Sequence, residues 1–230
     1  NYCRRFMNNE HTLIGNNGLT IEDLASFWQA IAKEFSTFKN IYGYGLMNEP
    51  HDLAPETKWF DMAQASINAI REVDTNTLIM VGGNDWSSAE RWIEQSDTLK
   101  FLKDPANNLA FEAHVYFDKD ASGTYKYSYE EEECYPEKGI DRVKPFVEWI
   151  KQNKFHGFIG EYGIPDNDPR WNEPLDLFLG YLQENGINGT YWAAGPWWDT
   201  YFMAITPKDG KDRPQMPIIE KYTSCLLYTS

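Results

Sequence analysis

The chain has 230 residues, of which 42% are hydrophobic and 16% aromatic, and its formal charge at pH 7 is −14. This length and apolar content suffice for one large core, and α/β barrels commonly reach this size as a single domain. The negative charge repels phosphate backbones and anionic headgroups, so we expect neither a nucleic acid nor a membrane surface as a partner. A neutral substrate fits this charge better.

The cysteines, the hydropathy and the first residues of the chain argue against several further classes of protein. Cys3, Cys134 and Cys225 lie far apart without a C-x-x-C spacing, which favours neither a zinc site nor a dense disulfide framework. No apolar run approaches the roughly 18 residues of a membrane span. Asn1 opens the chain with neither an initiator Met nor a signal peptide, so we expect a protein cut at its N-terminus.

The predicted elements alternate between helix and strand. Apolar residues at helical spacing predict an amphipathic helix over 21–38, with Thr20 placed to cap it. Strands are predicted at 41–48, 77–83, 109–116, 156–162 and 189–193, and the helices between them at 56–73, 87–94, 140–153 and 174–185. Crossover helices imply parallel pairing, and apolar runs such as TLIMVGG suit strands that are covered on both faces.

This alternation fits a barrel or an open sheet, and the spacing and the strand ends favour the barrel. The strands recur roughly every 31 residues, as in an eight-unit barrel of about 250 residues. Polar or aromatic residues stand at the C-terminal end of each strand, where barrel enzymes keep their chemistry. A nucleotide-binding open sheet would often show a glycine-rich first turn, which the sequence lacks. We therefore predict an α/β fold, a (β/α)8 TIM barrel, with about five-eighths of it present.

Two glutamates end predicted strands in the same way. In GYGLMNEPHD, Pro50 lacks the N–H needed to continue a strand, so we expect the strand to end with Glu49 at the barrel rim. In GFIGEYGIP, Glu161 occupies the same position before Pro165. A lone strand-end glutamate is more often a solvated or paired group. Two of them at one pocket, with aromatic neighbours, favour glycosidic bond cleavage, in which one acid protonates the leaving oxygen and the other attacks or activates water.

The sequence resembles the glycoside hydrolase family 5 cellulases through GYGLMNEPHD, FEAHVYFD, FIGEYGIP and YWAAGPWW, in that order. The resemblance covers nearly the whole chain. It implies that Glu49 is the acid/base and Glu161 the nucleophile, and that Asn48 binds the sugar 2-hydroxyl. His114 and Tyr116 match the pair that flanks the nucleophile in that family.

Tryptophans are the second group of residues that the resemblance assigns. Trp192 matches the platform beneath the sugar in the cleavage subsite, and the Trp192–Ala193 bond matches a non-proline cis peptide. Trp197 is our preferred second platform. Trp86, Trp171 and Trp198 also lie beyond strand ends, where stacking on sugar rings is expected, whereas the helical Trp28, Trp59 and Trp149 are expected to pack in the core.

Two acidic features favour structural roles. Glu112 shares a strand face with His114 but lies deeper, where a paired carboxylate is the commoner finding, so it is left out of the catalytic pair. The stretch 118–123 imitates the start of a calcium loop, but Tyr129 stands where a bidentate glutamate is needed. We therefore predict no metal site.

The sequence predicts a retaining endo-β-1,4-glucanase that needs no cofactor. Glu49 would protonate the leaving oxygen while Glu161 forms a glycosyl-enzyme, and Glu49 would then deprotonate the incoming water. The expected partner is a β-1,4-linked glucan, cleaved by a secreted monomer. A β-mannanase or mixed-linkage glucanase with the same two acids remains an alternative, as does a glycan-binding barrel without catalysis.

The resemblance numbers the strands present as the fourth to the eighth of the barrel. NYCRRF resembles the end of a third-strand His-Asn-Tyr motif, so we expect its His, an arginine of an earlier strand and the first three strands to be missing. Residues 1–222 are assigned to a partial catalytic barrel and 223–230 to a non-native tail. Because five strands leave two unpaired edges, we expect this chain alone to be inactive and poorly soluble.

Overall fold

The structure is a computed structural model that describes residues 2–7 and 9–223. Within these residues it contains seven strands and seven α-helices, and the chain divides into two compact units. The first unit comprises Asn1–Ala113 with Pro145–Phe158, and the second comprises His114–Lys144 with Ile159–Ser230. The predicted tail lies, from residue 224 onward, outside the described residues, and so does Cys225.

The strands and helices have the following bounds. The strands are β1 (Arg4–Met7), β2 (Glu10–Leu13), β3 (Gly43–Gly45), β4 (Leu78–Gly82), β5 (Leu109–Tyr116), β6 (His156–Gly163) and β7 (Asn188–Tyr191). The helices are α1 (Ile21–Phe35), α2 (Trp59–Arg71), α3 (Asn84–Ser87), α4 (Trp92–Ser96), α5 (Lys138–Asn153), α6 (Asn172–Glu184) and α7 (Met216–Tyr222). Short 3-10 helices span Asp97–Phe101, Pro169–Trp171 and Pro196–Trp198. None of the helices so described has the length and apolarity to cross a bilayer.

The main sheet has five strands in the order β3-β4-β5-β6-β7, so each strand lies beside its neighbour in the sequence. β3 pairs with β4 and β4 with β5 in parallel. A parallel connection needs a crossover, and helical segments connect successive strands through most of the sheet. The predicted strand and helix order is confirmed, and β5 begins and ends where the sequence predicted.

The first long helix begins as its sequence predicts. The Thr20 hydroxyl accepts a hydrogen bond from the Asp23 N–H at 3.2 Å, and the Asp23 carboxylate accepts one from the Thr20 N–H at 2.8 Å. This reciprocal capping box satisfies two N–H groups that a helix start leaves without partners. α1 ends at Phe35, earlier than the predicted bound at residue 38.

Two predictions of local structure are wrong, and one element was missed. The strand predicted over 41–48 is ladder-paired only at Gly43–Gly45, and the chain reaches a left-handed φ of 46° at Glu49. The helix predicted over 87–94 is replaced by α3 and α4, and within α3 both Asp85 and Trp86 have positive φ. The antiparallel pair of β1 and β2 was not predicted.

Tryptophans fill much of the core of the first unit. Trp59 is buried and donates its indole N–H to the Gly82 carbonyl at 2.7 Å. Trp92, Phe111 and Trp149 are also buried, and their rings meet edge to face. The packing role predicted for Trp59 and Trp149 is therefore confirmed. Trp28 is only half-buried, although its indole N–H reaches the Leu46 carbonyl at 3.1 Å.

A buried carboxylate organises the turn that enters β4. Asp74 accepts hydrogen bonds from the Tyr44 hydroxyl at 2.9 Å, from the N–H groups of Asn76 and Thr77 at 2.9 Å each, and from the Thr77 hydroxyl at 2.6 Å. Burial by itself raises the pKa of this carboxyl, but the hydrogen bonds from Thr77, Asn76 and Tyr44 outweigh burial and lower the pKa to about 2. The ionised form of Asp74 is therefore part of the folded state.

We predict that Asp74→Asn lowers the free energy of unfolding by roughly 2 kcal/mol near pH 6. A depressed carboxyl pKa contributes stability that is fully present above the unfolded pKa near 4 and is lost as the pH falls towards 2. Urea unfolding at intervals between pH 2 and pH 6 measures the difference between the two proteins. A difference that stays constant across this range would contradict the assignment to ionised Asp74.

Candidate active site

In the second unit, the ends of β5 and β6 bring three predicted site residues together. The Tyr116 hydroxyl donates a hydrogen bond to Oε2 of Glu161 at 2.7 Å. Nδ1 of His114 lies 3.7 Å from the same oxygen. His114 and Tyr116 are buried, whereas the Glu161 side chain keeps 14% of its surface exposed. A carboxylate oxygen thus accepts a hydrogen bond from one side chain of the neighbouring strand and lies close to a second, while the group stays accessible to solvent.

This arrangement follows from strand geometry. Alternate residues of a strand point to the same face, so His114 and Tyr116 of β5 both face the side on which Glu161 of β6 lies. A phenol that donates to a carboxylate stabilises its ionised form, which is the form a nucleophile needs. The three residues can therefore present an oriented carboxylate to a reacting carbon.

Trp192 follows β7 in the second unit and is anchored through its backbone. Its N–H donates to the Tyr162 carbonyl at 2.9 Å, and the peptide bond between Trp192 and Ala193 is cis, as predicted. Its ring meets the ring of Trp198 at a centroid distance of 5.0 Å and an angle of 66°. Trp198 was expected to stack on sugar, and the structure places it against Trp192 as a supporting ring.

Tyr201 is a residue of this region that sequence reasoning missed. Burial raises the pKa of Tyr201, its hydrogen bond with Trp192 opposes that rise, and the negative charge of Glu161 adds to it. Its ring also packs against Trp198 at 5.0 Å. The only signal in the sequence is an aromatic residue shortly after the WW pair, which is too common to indicate a role.

The remaining tryptophans of the second unit differ in exposure. Trp197 is 90% exposed, as a platform for a sugar ring requires, so its predicted role stays a prediction. Trp171 was also expected to stack on sugar, and this is wrong. It is buried, with its ring edge to face against Tyr125 at 5.0 Å and Tyr129 at 4.9 Å.

The stretch 118–125 of the second unit forms a loop closed on its own carboxylate. Asp118 is buried and accepts hydrogen bonds from the N–H groups of Gly123, Thr124 and Tyr125 at 3.1, 3.0 and 3.2 Å. The Asp118 carboxylate, which resembled a calcium ligand in the sequence, therefore accepts from backbone donors of the same loop.

In the first unit, the Asn48-Glu49-Pro50 segment leaves the sheet in an irregular conformation. The Asn48 carbonyl accepts a hydrogen bond from the Tyr2 N–H at 3.2 Å, and Glu49 adopts a φ of 46°. Non-glycine residues seldom take such left-handed angles, and those that do cluster at functional sites. Both side chains are half-buried, so neither is lost in the core.

Trp86 lies beside this segment in the first unit, and its partner was not predicted. The His51 ring stacks on Trp86 with a centroid distance of 4.3 Å and an angle of 13°. His51 also meets the ring of Tyr2 at 5.1 Å. Trp86 remains 42% exposed, so the predicted contact of this indole with a sugar stays a prediction.

Comparison with known proteins shows which family the chain resembles. The Cellulase (glycosyl hydrolase family 5) family model matches residues 5–197. Endo-beta-1,4-glucanase B of Emericella nidulans is 36% identical over 193 residues, which cover 82% of this chain and 56% of that protein. The crystal structure of Pseudomonas stutzeri endoglucanase Cel5A in complex with cellobiose matches with a TM-score of 0.86 and 43% identity, covering 96% of this chain and 65% of that one. XacCel5A in complex with cellopentaose matches with a TM-score of 0.83 and 37% identity, covering 92% of this chain and 69% of that one.

The chain therefore belongs to the family 5 glycosyl hydrolases of the cellulase type. Its order of strands and helices is part of a (β/α)8 barrel, which confirms the predicted fold class. The chain spans 56% of the length of the curated relative from Emericella nidulans.

We predict that Gly163→Ala destabilises the protein by about 1 to 3 kcal/mol and displaces Trp192. A methyl group at this position would lie 2.5 Å from the Trp192 carbonyl oxygen and 3.2 Å from Sδ of Met203. Since the first of these atoms belongs to the backbone, the strand end must move. Thermal melts and tryptophan fluorescence measure the two effects.

The matched control for this change is Gly45→Ala, in β3. Its methyl group would meet only a Glu112 carboxylate oxygen at 3.9 Å, an ordinary contact distance. We expect its stability to stay within about 0.5 kcal/mol of the parent chain. Equal melting temperatures for the Gly163 variant and the parent would show that the Trp192 backbone is not held against β6.

Proposed function

We propose that the protein is a retaining endo-β-1,4-glucanase in which Glu161 is the nucleophile and Glu49 the acid/base. The observation that supports this most is the hydrogen bond from Tyr116 to Glu161, with His114 beside the same oxygen, in a chain of the family 5 hydrolases. Relatives named endo-beta-1,4-glucanase, and structures of relatives in complex with cellobiose and cellopentaose, support β-1,4-glucan as the substrate.

The proposed reaction has two steps. First, Glu161 attacks the anomeric carbon while protonated Glu49 gives its proton to the departing glycosidic oxygen, so that a glycosyl ester forms on Glu161. Second, ionised Glu49 takes a proton from water as the water attacks the same carbon, and the ester bond to Glu161 breaks. Each step inverts the anomeric centre, so the configuration is retained overall.

The other predicted site residues would bind and orient the sugar. Asn48 would hold the 2-hydroxyl, where hydrogen bonds that strengthen in the transition state lower the barrier. Trp192 would lie beneath the sugar in the cleavage subsite. The exposed indoles of Trp86 and Trp197 would stack on further sugar rings of the polymer.

We also propose that the protein works outside the cell, because its polymeric substrate is extracellular. We further propose that it works as a monomer. Its formal charge of −14 does not oppose a neutral glucan. The same charge disfavours nucleic acids and anionic membranes as partners.

We predict that Glu161→Gln lowers turnover on every β-glucoside by a factor on the order of 10⁴ or more, since no ester can form. Glu49→Gln should lower cellulose hydrolysis by roughly 10² to 10⁴, the range of general acid catalysis. It should spare formation of the glycosyl-enzyme from 2,4-dinitrophenyl β-cellobioside, whose leaving group needs no proton. The pre-steady-state release of dinitrophenol measures this step.

The assays compare the chain itself with the chain preceded by the N-terminal strands of the Pseudomonas stutzeri enzyme. Glu112→Gln serves as the control for loss of a neighbouring carboxylate, and we expect it to keep activity within a few-fold of the parent. Ordinary turnover by the Glu161 or the Glu49 variant would overturn the assignment of that residue.

We predict that reducing sugar is released fastest from carboxymethylcellulose when this substrate is compared with glucomannan and mixed-linkage β-glucan at equal mass concentration. The same two acids serve all β-glycans, so the selectivity depends on contacts of the rim residues with the polymer. Release from glucomannan alone would replace the cellulase assignment by that of a mannanase. Binding of all three polymers without release from the N-terminally extended protein would favour a glycan-binding protein.

A further inference from the structure

We propose that Tyr125 is a positioning residue for Glu161, because its phenol ties the end of β5 to the end of β6 and so sets the hydrogen bond between Tyr116 and Glu161. This inference rests on the proposed function, in which Glu161 is the nucleophile. All the residues that carry it lie in the second unit.

The Tyr125 hydroxyl bridges two backbone groups. It accepts a hydrogen bond from the Phe117 N–H at 2.9 Å and donates one to the Gly163 carbonyl at 2.6 Å. Phe117 directly follows Tyr116 at the end of β5, and Gly163 is the last residue of β6, two positions after Glu161. One phenol oxygen therefore fixes the separation of the two strand ends beside the catalytic hydrogen bond.

Tyr125 is itself held in place from several sides. Its own N–H is one of the three that donate to the Asp118 carboxylate, and its φ of 43° shows that the loop imposes an unusual backbone conformation there. Its ring lies edge to face with Trp171 at 5.0 Å and with Phe202 at 6.3 Å. A rigidly held bridging group can set a distance that a mobile one could not.

The protonation state of the phenol suits a bridge. Burial raises the pKa of Tyr125 well above its ordinary value, and the negative charge of Asp118 raises it further. The hydroxyl therefore keeps its proton at any pH at which the protein acts. It can donate to the Gly163 carbonyl and accept from the Phe117 N–H at the same time.

The same loop also supports the Tyr116 ring. A methyl group on Gly123 would lie 2.9 to 3.0 Å from three atoms of that ring, so the Gly123 backbone packs directly against it. Gly123 has a φ of +72°, an angle that glycine adopts readily. The loop of residues 118–125 thus touches Tyr116 through Gly123 and fixes the strand ends through Tyr125.

Movement of the strand ends would change the length of the hydrogen bond between Tyr116 and Glu161, which is 2.7 Å in the structure. Hydrogen bonds to an ionised group lose much of their strength when the distance or angle relaxes. Loss of the Tyr125 bridge would let the strand ends separate slightly. The carboxylate of Glu161 would then be less stabilised and would titrate at higher pH.

The test is the titration midpoint of the Glu161 carboxyl, measured by NMR on protein with ¹³C-labelled glutamate, with Glu161→Gln used to assign the signal. In Tyr116→Phe we expect the midpoint to rise by roughly one pH unit. In Tyr125→Phe it should rise by roughly half a unit. In the double variant it should match Tyr116→Phe alone, because Tyr125 acts through Tyr116.

The matched control is Tyr191→Phe. The Tyr191 hydroxyl also makes two backbone hydrogen bonds, to the N–H and the carbonyl of Ile164, both at 3.1 Å, but both partners belong to one residue. We expect its Glu161 midpoint to equal that of the parent. A rise as large as that of Tyr125→Phe would show that loss of any phenol in this unit has the same effect, and would overturn the proposal.

Asp118→Asn provides a second route if Tyr125→Phe does not fold. It weakens the anchoring of Tyr125 while keeping the phenol. Removal of a negative charge by itself would lower the Glu161 midpoint, so a rise in Asp118→Asn supports positioning through Tyr125. The proposal would be overturned if the Glu161 midpoint stayed unchanged or fell in the folded variants. It would also be overturned if Tyr125→Phe raised the midpoint equally in the parent chain and in Tyr116→Phe.

A separate measurement distinguishes this proposal from the proposed function. Incubation with 2,4-dinitrophenyl 2-deoxy-2-fluoro-β-cellobioside, followed by peptide mass spectrometry, shows whether Glu161 carries the covalent sugar. Absence of that label from the N-terminally extended protein would refute the nucleophile assignment. The titration midpoints would still decide whether Tyr125 positions Glu161.

Discussion

The constraint that the second unit meets at its candidate site is the hydrogen bond from Tyr116 to Glu161. It needs the ends of two neighbouring strands at a defined separation, and the structure supplies this separation through backbone contacts. Tyr125 bridges the strand ends, and Gly163 lets the Trp192 carbonyl approach because it has no side chain. Backbone contacts thus join the strand ends on either side of this carboxylate.

The conformations at the ends of the strands are less regular than those within them. Glu49, Asp85 and Trp86 all have positive φ in the first unit, just after β3 and β4. A regular strand would alternate these side chains between opposite faces, so left-handed residues change where each side chain points. The regular part of the sheet supplies rigidity, and the irregular ends set the direction of the side chains that follow it.

Whether a tryptophan packs in the core or stays exposed depends partly on tertiary contacts. Helical spacing was enough to identify Trp59 and Trp149 as core residues, since an apolar helix face packs inward in a globular protein. Position beyond a strand end was not enough to identify a sugar-stacking residue, since Trp171 is buried against Tyr125 and Tyr129. A residue beyond a strand end can pack against a segment much earlier in the chain, and no local pattern reports that packing.

The sequence by itself determined the order of strands and helices, the capping of α1 by Thr20 and the bounds of β5, because periodicity and capping act over a few residues. It also indicated the residue types of the site through motifs that resemble a known family. Tertiary structure decided that the Tyr116 hydroxyl donates a hydrogen bond to Glu161, that Trp198 packs against Trp192, and that Tyr125 joins two strand ends. These contacts join residues far apart in the chain, so their partners exist only once the strands are paired.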